Sequence, residues 1–177
     1  MMPRLLRACF SLLLVVSPIA AATAQAPAAP AGILNRDVAG PLLPPSVFYR
    51  GQVAPIQTRN SAGYRCADGR LTLFAMVDTS GYSTSIQQTY QAYLITEVSL
   101  KLGDKSLAPG AYGFGFVAGN RMVVMDVGGK EILAASTTTD TALARPNPLQ
   151  ILPDPASKTS FRLYLGRNYI TISAEAK

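Results

Sequence analysis

Runs of alternating apolar and polar residues occupy most of the chain beyond residue 45, and a glycine-bearing pair ends one run after another. These pairs are Asp68-Gly69, Gly103-Asp104, Gly119-Asn120, Gly128-Gly129 and Gly166-Arg167. Two-residue hairpin loops favour residues that tolerate positive φ, so each pair reads as a turn between antiparallel strands. A two-residue loop also dictates which side chains face each other. At Asp68-Gly69 it sets Cys66 against Leu71, Tyr64 against Leu73 and Arg65 against Thr72. At Gly119-Asn120 it sets Phe116 against Val123, Phe114 against Met125 and Tyr112 against Val127. At Gly166-Arg167 it sets Leu163 against Ile170, Phe161 against Ile172 and Arg162 against Thr171. In the first and last of these hairpins polar side chains share one face and apolar ones the other, as a half-buried sheet requires.

The remaining segments fit the same plan. Residues 47–57 read as a first strand, and Pro55, which has no N–H, places it at an edge or at a bulge. Residues 78–85 are a polar loop, and 86–91 a helical turn capped by Ser85. From Tyr90 to Leu102 apolar residues keep one parity, interrupted at Thr96, which predicts one long strand. Ala108-Pro109-Gly110-Ala111 reads as a type II turn. Tyr112, Phe114 and Phe116 then share one face, with Gly113 and Gly115 on the other. The glycine face leaves room for a backbone, a large side chain or a ligand. Residues 136–148 read as a long crossing loop. The predicted fold class is all-β, an antiparallel sandwich or small open barrel of hairpins with at most one short helical turn.

The N-terminus is different in kind. Arg4 and Arg7 precede an apolar stretch from Phe10 to Val16 and a small-residue site at Ala22-Thr23-Ala24. That order is a secretory signal peptide over 1–24. Residues 25–45, rich in Ala and Pro, read as a tether, and 46–177 as a single β domain. No other stretch is long and apolar enough for a transmembrane helix. The expected location is the periplasm or the medium.

The stretch from Thr96 to Leu133 includes Leu102-Gly103-Asp104-Lys105 and Leu107-Ala108-Pro109-Gly110-Ala111-Tyr112. It resembles a hairpin module of exported bacterial β-rich domains of unknown function, which carry a Gly-x-Lys turn followed by Leu-Pro-Ala-Gly-Thr-Tyr. The chain as a whole resembles small secreted proteins of soil bacteria known only as hypothetical. The Trp-containing stretch of the former domains is missing here. The resemblance covers roughly a quarter of the mature chain. It implies an exported β-rich domain and supplies no catalytic residue.

Charge and composition narrow the chemistry. The formal net charge is +6, and removal of Arg4 and Arg7 leaves +4. Lys and Arg are scattered singly, so nucleic-acid binding is not expected. The chain contains no His, which removes Ser-His-Asp and Cys-His nucleophilic sites and every His-ligated metal. It contains no Trp, which removes the best stacking platform for sugars or bases. No cofactor is expected. Cys66 alone survives signal removal, which predicts a buried thiol on the apolar face.

Three groups remain as candidates. A two-residue loop at Gly128-Gly129 forces Asp126 against Glu131, with Met125 against Ile132. Like charges in that position are unfavourable. The pair then binds a cation such as Ca²⁺, serves as acid and base, or flanks a hydrated turn. In the 78–85 loop, Asp78, Ser80, Tyr82 and Ser83 are candidate ligand-binding residues. The Tyr112, Phe114 and Phe116 stripe lines an apolar cavity or is ordinary core. The expected function is a non-catalytic binding or structural component of the bacterial cell envelope. The alternatives are a carrier of a small apolar ligand and a carboxylate-dependent hydrolase.

Overall fold

The computed structural model describes residues 31–175, and the proposed signal peptide lies outside them. The chain opens with β1 (Gly32–Leu34), a helical turn α1 (Arg36–Ala39) and a 3-10 turn (Gly40–Leu42). Then come β2 (Ser46–Tyr49), β3 (Gln52–Arg65), β4 (Leu71–Val77), helix α2 (Thr84–Thr89) and β5 (Ala92–Thr96). They are followed by β6 (Leu100–Leu102), β7 (Lys105–Leu107), β8 (Gly110–Val117), β9 (Arg121–Met125) and β10 (Glu131–Ser136). The last strands are β11 (Thr138–Thr139), β12 (Leu149–Pro153), β13 (Phe161–Leu165) and β14 (Asn168–Ala174).

The expected all-β class holds. One sheet runs β1-β3-β4-β5-β8-β9-β10, with β2 added to β3, and the other runs β12-β13-β14-β6-β7, with β11 added to β14. All pairings within them are antiparallel. Between the sheets lies a shared core in which Phe74, Leu94, Phe114, Met122 and Val124 meet Leu100, Leu102, Leu163, Ile170 and Ile172. The first sheet is also covered on its other face. There Leu73, Ala75, Tyr93, Val123 and Met125 pack against Leu34, Ala39, Leu43, Tyr49, Tyr82 and Tyr90. The stretch that composition reads as a tether is therefore docked from residue 32 on. Asn35 accepts from the backbone N–H of Asp37 and Val38, which starts α1 and turns the chain over the sheet.

The predicted long strand of residues 90–102 is two strands in two sheets. Its partner does the same, so β5–β8 and β6–β7 form one long ribbon that bends from the first sheet into the second. Thr96 makes the bend. Its hydroxyl donates to the Val98 carbonyl at 2.7 Å, accepts from the Val98 N–H at 3.2 Å and lies 3.0 Å from the Thr72 hydroxyl. Ala92, Leu94, Val98, Leu100 and Leu102 all stay in the core through the bend, which is why parity alone reads it as continuous. Ala108-Pro109 carries the returning strand across instead of forming the expected reverse turn. A second crossing, at Thr137, takes β10 into β11.

The glycine hairpins close on loops of two residues or of three, and the loop length decides each register. At Gly166-Arg167 the glycine comes first with φ 63°, and the two-residue loop gives the expected pairs Leu163–Ile170, Phe161–Ile172 and Arg162–Thr171. Gly103-Asp104 behaves alike, with Leu102 opposite Lys105. At Asp68-Gly69 only the glycine has positive φ, and the loop takes three residues, so Arg65 faces Leu71 and Tyr64 faces Thr72. That is the geometry of a type I turn closed by a left-handed residue. The Asp68 carboxylate favours it by accepting from the Arg70 N–H at 3.1 Å. The β8–β9 hairpin is also shifted by one, with Phe116 opposite Met122 and Phe114 opposite Val124. Residues 47–57 are not one strand either. The chain reverses at Arg50-Gly51, both with positive φ, so β2 and β3 form a hairpin with Phe48 opposite Val53.

Candidate functional site

The structure separates the two carboxylates that the sequence brings together. The Gly128-Gly129 loop also takes three residues: the Asp126 N–H donates to the Lys130 carbonyl, and the Glu131 partner is Met125. Neighbouring positions in a strand point to opposite faces, so the directly opposed carboxylate pair does not form. A bulge follows, with Ile132 as the extra residue before Leu133 pairs with Val124. Asp126 accepts from the Lys130 N–H at 2.9 Å, and Glu131 pairs with Arg121 at 3.1 Å. Among the described residues no group of three His, Cys, Asp or Glu side chains is placed to hold a metal ion.

The 78–85 loop is held by its own side chains. Asp78 accepts from the Ser80 N–H at 3.0 Å, an Asx turn, and Ser83 precedes α2 with its hydroxyl 3.1 Å from that of Ser85. The N-cap position is therefore Ser83, two residues before the expected Ser85. Tyr82 points inward. Its hydroxyl faces the carbonyls of Tyr49 and Gln52, each at 3.1 Å, and so ties the loop to the β2–β3 hairpin. Asp78, Ser80 and Ser83 stay on the outer surface, and Tyr82 is buried, so the four do not converge on one point.

What this loop delivers is a lid on the glycine face of β8. A Cβ on Gly113 would lie 2.0 Å from the Tyr90 ring, and one on Gly115 would lie 2.1 Å from the Thr89 carbonyl oxygen. Gln91 completes the seal: its side chain accepts from the Phe116 N–H at 2.9 Å and donates to the Phe116 carbonyl at 3.2 Å. Tyr90 is stacked on Tyr49 with ring centres 3.8 Å apart, and its hydroxyl has no partner among the described residues. Burial raises its pKa, as it does for Tyr49, Tyr82 and Tyr93. The unfolded chain loses tyrosine protons near pH 10, whereas the folded chain holds them longer. Stability is therefore fully present below about pH 10 and falls as pH rises above it. An alkaline titration should show tyrosinate absorbance and loss of β-sheet circular dichroism rising together above about pH 10.

The aromatic stripe is core. Phe114 is fully buried, edge-on to Phe74 with ring centres 6.1 Å apart, and Phe116 packs beside it. Cys66 also lies in the inter-sheet core, opposite Arg70 and not Leu71, and burial raises its thiol pKa. Its reaction with a disulfide reagent should be slow in native protein and fast in urea; equal rates would contradict its burial.

Two polar groupings were not legible in the sequence. On the outer face of the second sheet, Arg162 lies 3.2 Å from Asp154 and 4.0 Å from Asp140, with its guanidinium 4.5 Å from the Tyr169 ring centre. Tyr164 donates to Asp140 at 2.9 Å. Two loops thus converge on β13, and each charge there has an internal partner. The other grouping is a groove of about 420 Å³ between β1, the bulge of β3 and β12. It is lined by Asn35, Arg36, Arg59, Asn60, Asn147 and Gln150 among others. Beside it the β3–β4 register shifts between Gln57 and Ser61, so Arg59 has no partner in β4. Here the partners are incomplete. Asn147 Nδ2 donates to Gln150 Oε1 at 3.0 Å, but the buried Gln150 Nε2 has no partner among the described residues. Arg36 leans on Asp37 at 3.6 Å, whereas Arg59 has no carboxylate within 4.0 Å among the described residues.

The fold and these sites define an all-β protein of two antiparallel sheets. Among the described residues no helix is long and apolar enough to cross a membrane. Compared with protein-family models, curated proteins and solved structures, the chain matches none.

Proposed function

We propose that the protein is an exported, non-catalytic β domain that acts as a binding component of the bacterial cell envelope. The observation that carries the binding role is the groove at Arg59 and Gln150, where, among the described residues, a buried donor and a cation lack partners. Buried donors cost stability unless satisfied, so such a place favours a ligand that completes them. A hydrolase reading needs Asp126 and Glu131 together, and their positions in the β9–β10 hairpin weigh against it. A carrier reading needs space beside the aromatic stripe, where Phe74, Phe114 and Met122 pack together. Export rests on the basic and apolar order of residues 1–24.

Expression of the full chain with a C-terminal tag tests both halves. The purified protein should begin at Gln25 and fractionate with the envelope or the medium. A photo-reactive side chain at position 59 should capture an envelope component, and one at Lys105, on the opposite edge strand β7 of the second sheet, should not. An intact N-terminus in the cytoplasm would overturn export. Equal capture at both positions would overturn the groove as the binding place.

A further inference from the structure

The groove is bounded by two strands that end their sheets. β12 is the last strand of the second sheet, and β1 is the last strand of the first. Their hydrogen-bond phases follow from flanking contacts. The Gly166 N–H donates to the Pro148 carbonyl and the Asp154 N–H to the Ser160 carbonyl, each at 3.1 Å. Alternate residues of an antiparallel strand bond to the same neighbour. Gln150 and Leu152 therefore bond to β13, and Leu149 and Ile151 turn their N–H and C=O groups to the open side. The same alternation through Cys66 and Arg70 leaves the peptide groups of Ile33 on the open side of β1. Exposed strand edges of this kind are templates for another strand.

Side chains sort the other way. Leu149 and Ile151 are in the core, whereas Gln150 lines the groove, with its Nε2 buried and without a hydrogen-bond partner among the described residues. Arg59 adds a positive charge on the facing wall with no carboxylate within 4.0 Å among the described residues, and Arg36 and Asp37 also line the groove. Among the described residues no aromatic ring lines the groove, so they offer no stacking surface of the kind a sugar ring uses. Backbone donors and acceptors repeating at strand spacing match a peptide backbone better than a glycan.

We propose that this groove takes an extended, acidic peptide segment, which adds as a strand to the free edge of β12 and sets a carboxylate against Arg59. Backbone bonds to Leu149 and Ile151 supply affinity, and Gln150 and Arg59 select the side chains. The inference rests on the binding role proposed above and narrows it to one ligand class.

The test pans the purified exported protein against displayed random heptapeptides, then measures a synthetic copy of an enriched peptide by fluorescence anisotropy. The expected peptides carry Asp or Glu. Arg59→Glu, at an exposed bulge position, should weaken binding by about tenfold or more, and Lys105→Glu, on the opposite edge strand β7, should leave it unchanged. N-methylation of alternate peptide amides along one edge should abolish binding, and along the other edge should not. Leu149 and Ile151 amides should gain hydrogen-exchange protection in the complex. If peptides bind but Arg59→Glu and both N-methyl series match the parent, strand addition here is wrong and a binding role survives. If no peptide enriches and position 59 captures an envelope glycan, the peptide proposal falls and the binding role stands. If nothing enriches and nothing is captured, both fall.

Discussion

Alanine in place of Gly115 is expected to destabilise the protein by about 2–3 kcal/mol, the upper part of the range for overpacking. The new Cβ would sit 2.1 Å from the carbonyl oxygen of Thr89 and 2.8 Å from its carbon. Those are backbone atoms at the end of α2, so no rotamer change can relieve the contact. Relief requires α2 to move away from β8. That movement would break the Gln91 bonds to Phe116 and withdraw Tyr90 from its stack on Tyr49. Gly113→Ala should behave alike, because the Tyr90 ring at 2.0 Å is fully buried and held on both sides. Gly81→Ala is the matched control. No atom lies within 4 Å of its added Cβ and its φ is not in the left-handed region, so its stability should change little. Urea unfolding followed by circular dichroism reads all three. A Gly115→Ala midpoint equal to that of Gly81→Ala would show that α2 is not seated on β8.

Phe114→Ala is expected to cost about 3–5 kcal/mol, as for other large aromatic truncations in a core. A domain of ordinary stability has about 5–15 kcal/mol in total, so this variant should be largely unfolded at moderate temperature. Phe114 lies in the middle of the first sheet, fully buried, and belongs to the cluster that both sheets share. Its removal opens a void against Phe74, whose ring meets it edge-on. Phe48→Ala gives the contrast: that side chain is 60% exposed on the outer face of the β2–β3 hairpin and should cost little. Thermal melts of the two variants separate the outcomes. Similar melting temperatures would mean that the space behind the stripe is not packed, which would revive a ligand cavity there.

The hairpins were legible because glycine is needed where φ is positive, and that need is local. Their registers were legible only in part. Gly103 and Gly166 lead their pairs and close two-residue loops, whereas Gly119 also leads its pair and closes a three-residue loop with Val117 opposite Arg121. Asp68-Gly69 and Gly128-Gly129 suit two loop lengths, and the polarity test could not choose between them. Leu71, Thr72, Leu73 and Phe74 lie in a sheet covered on both faces, as do Met122, Val123, Val124 and Met125. A strand apolar on both sides reports no register, since a one-residue slip exchanges one buried set for another. The opposition of Asp126 and Glu131 rested on that choice and went with it. The Arg50-Gly51 turn was missed for a related reason: apolar residues on both sides of it read as continuous, and Arg rarely takes positive φ.

The candidate site was illegible for a different reason. Arg59, Gln150 and Ile33 are far apart in the chain, and none stands in a motif. Their meeting depends on a bulge in β3 and on which strands end each sheet.

What the sequence determined by itself is local and repetitive: an antiparallel β class, the positions of the five glycine-pair turns, the aromatic and glycine faces of β8, and the absence of histidine chemistry. Each follows from φ preference, two-residue periodicity or composition, which act over a few residues. Tertiary structure alone decided the sheet in which each half of the long ribbon lies and the docking of residues 32–45. It alone decided that Tyr90 and Thr89 cover the glycines, and that two sheet edges flank one groove. Those outcomes depend on contacts between distant segments, and burial on both faces of the first sheet removes the polarity contrast by which a sequence could announce them.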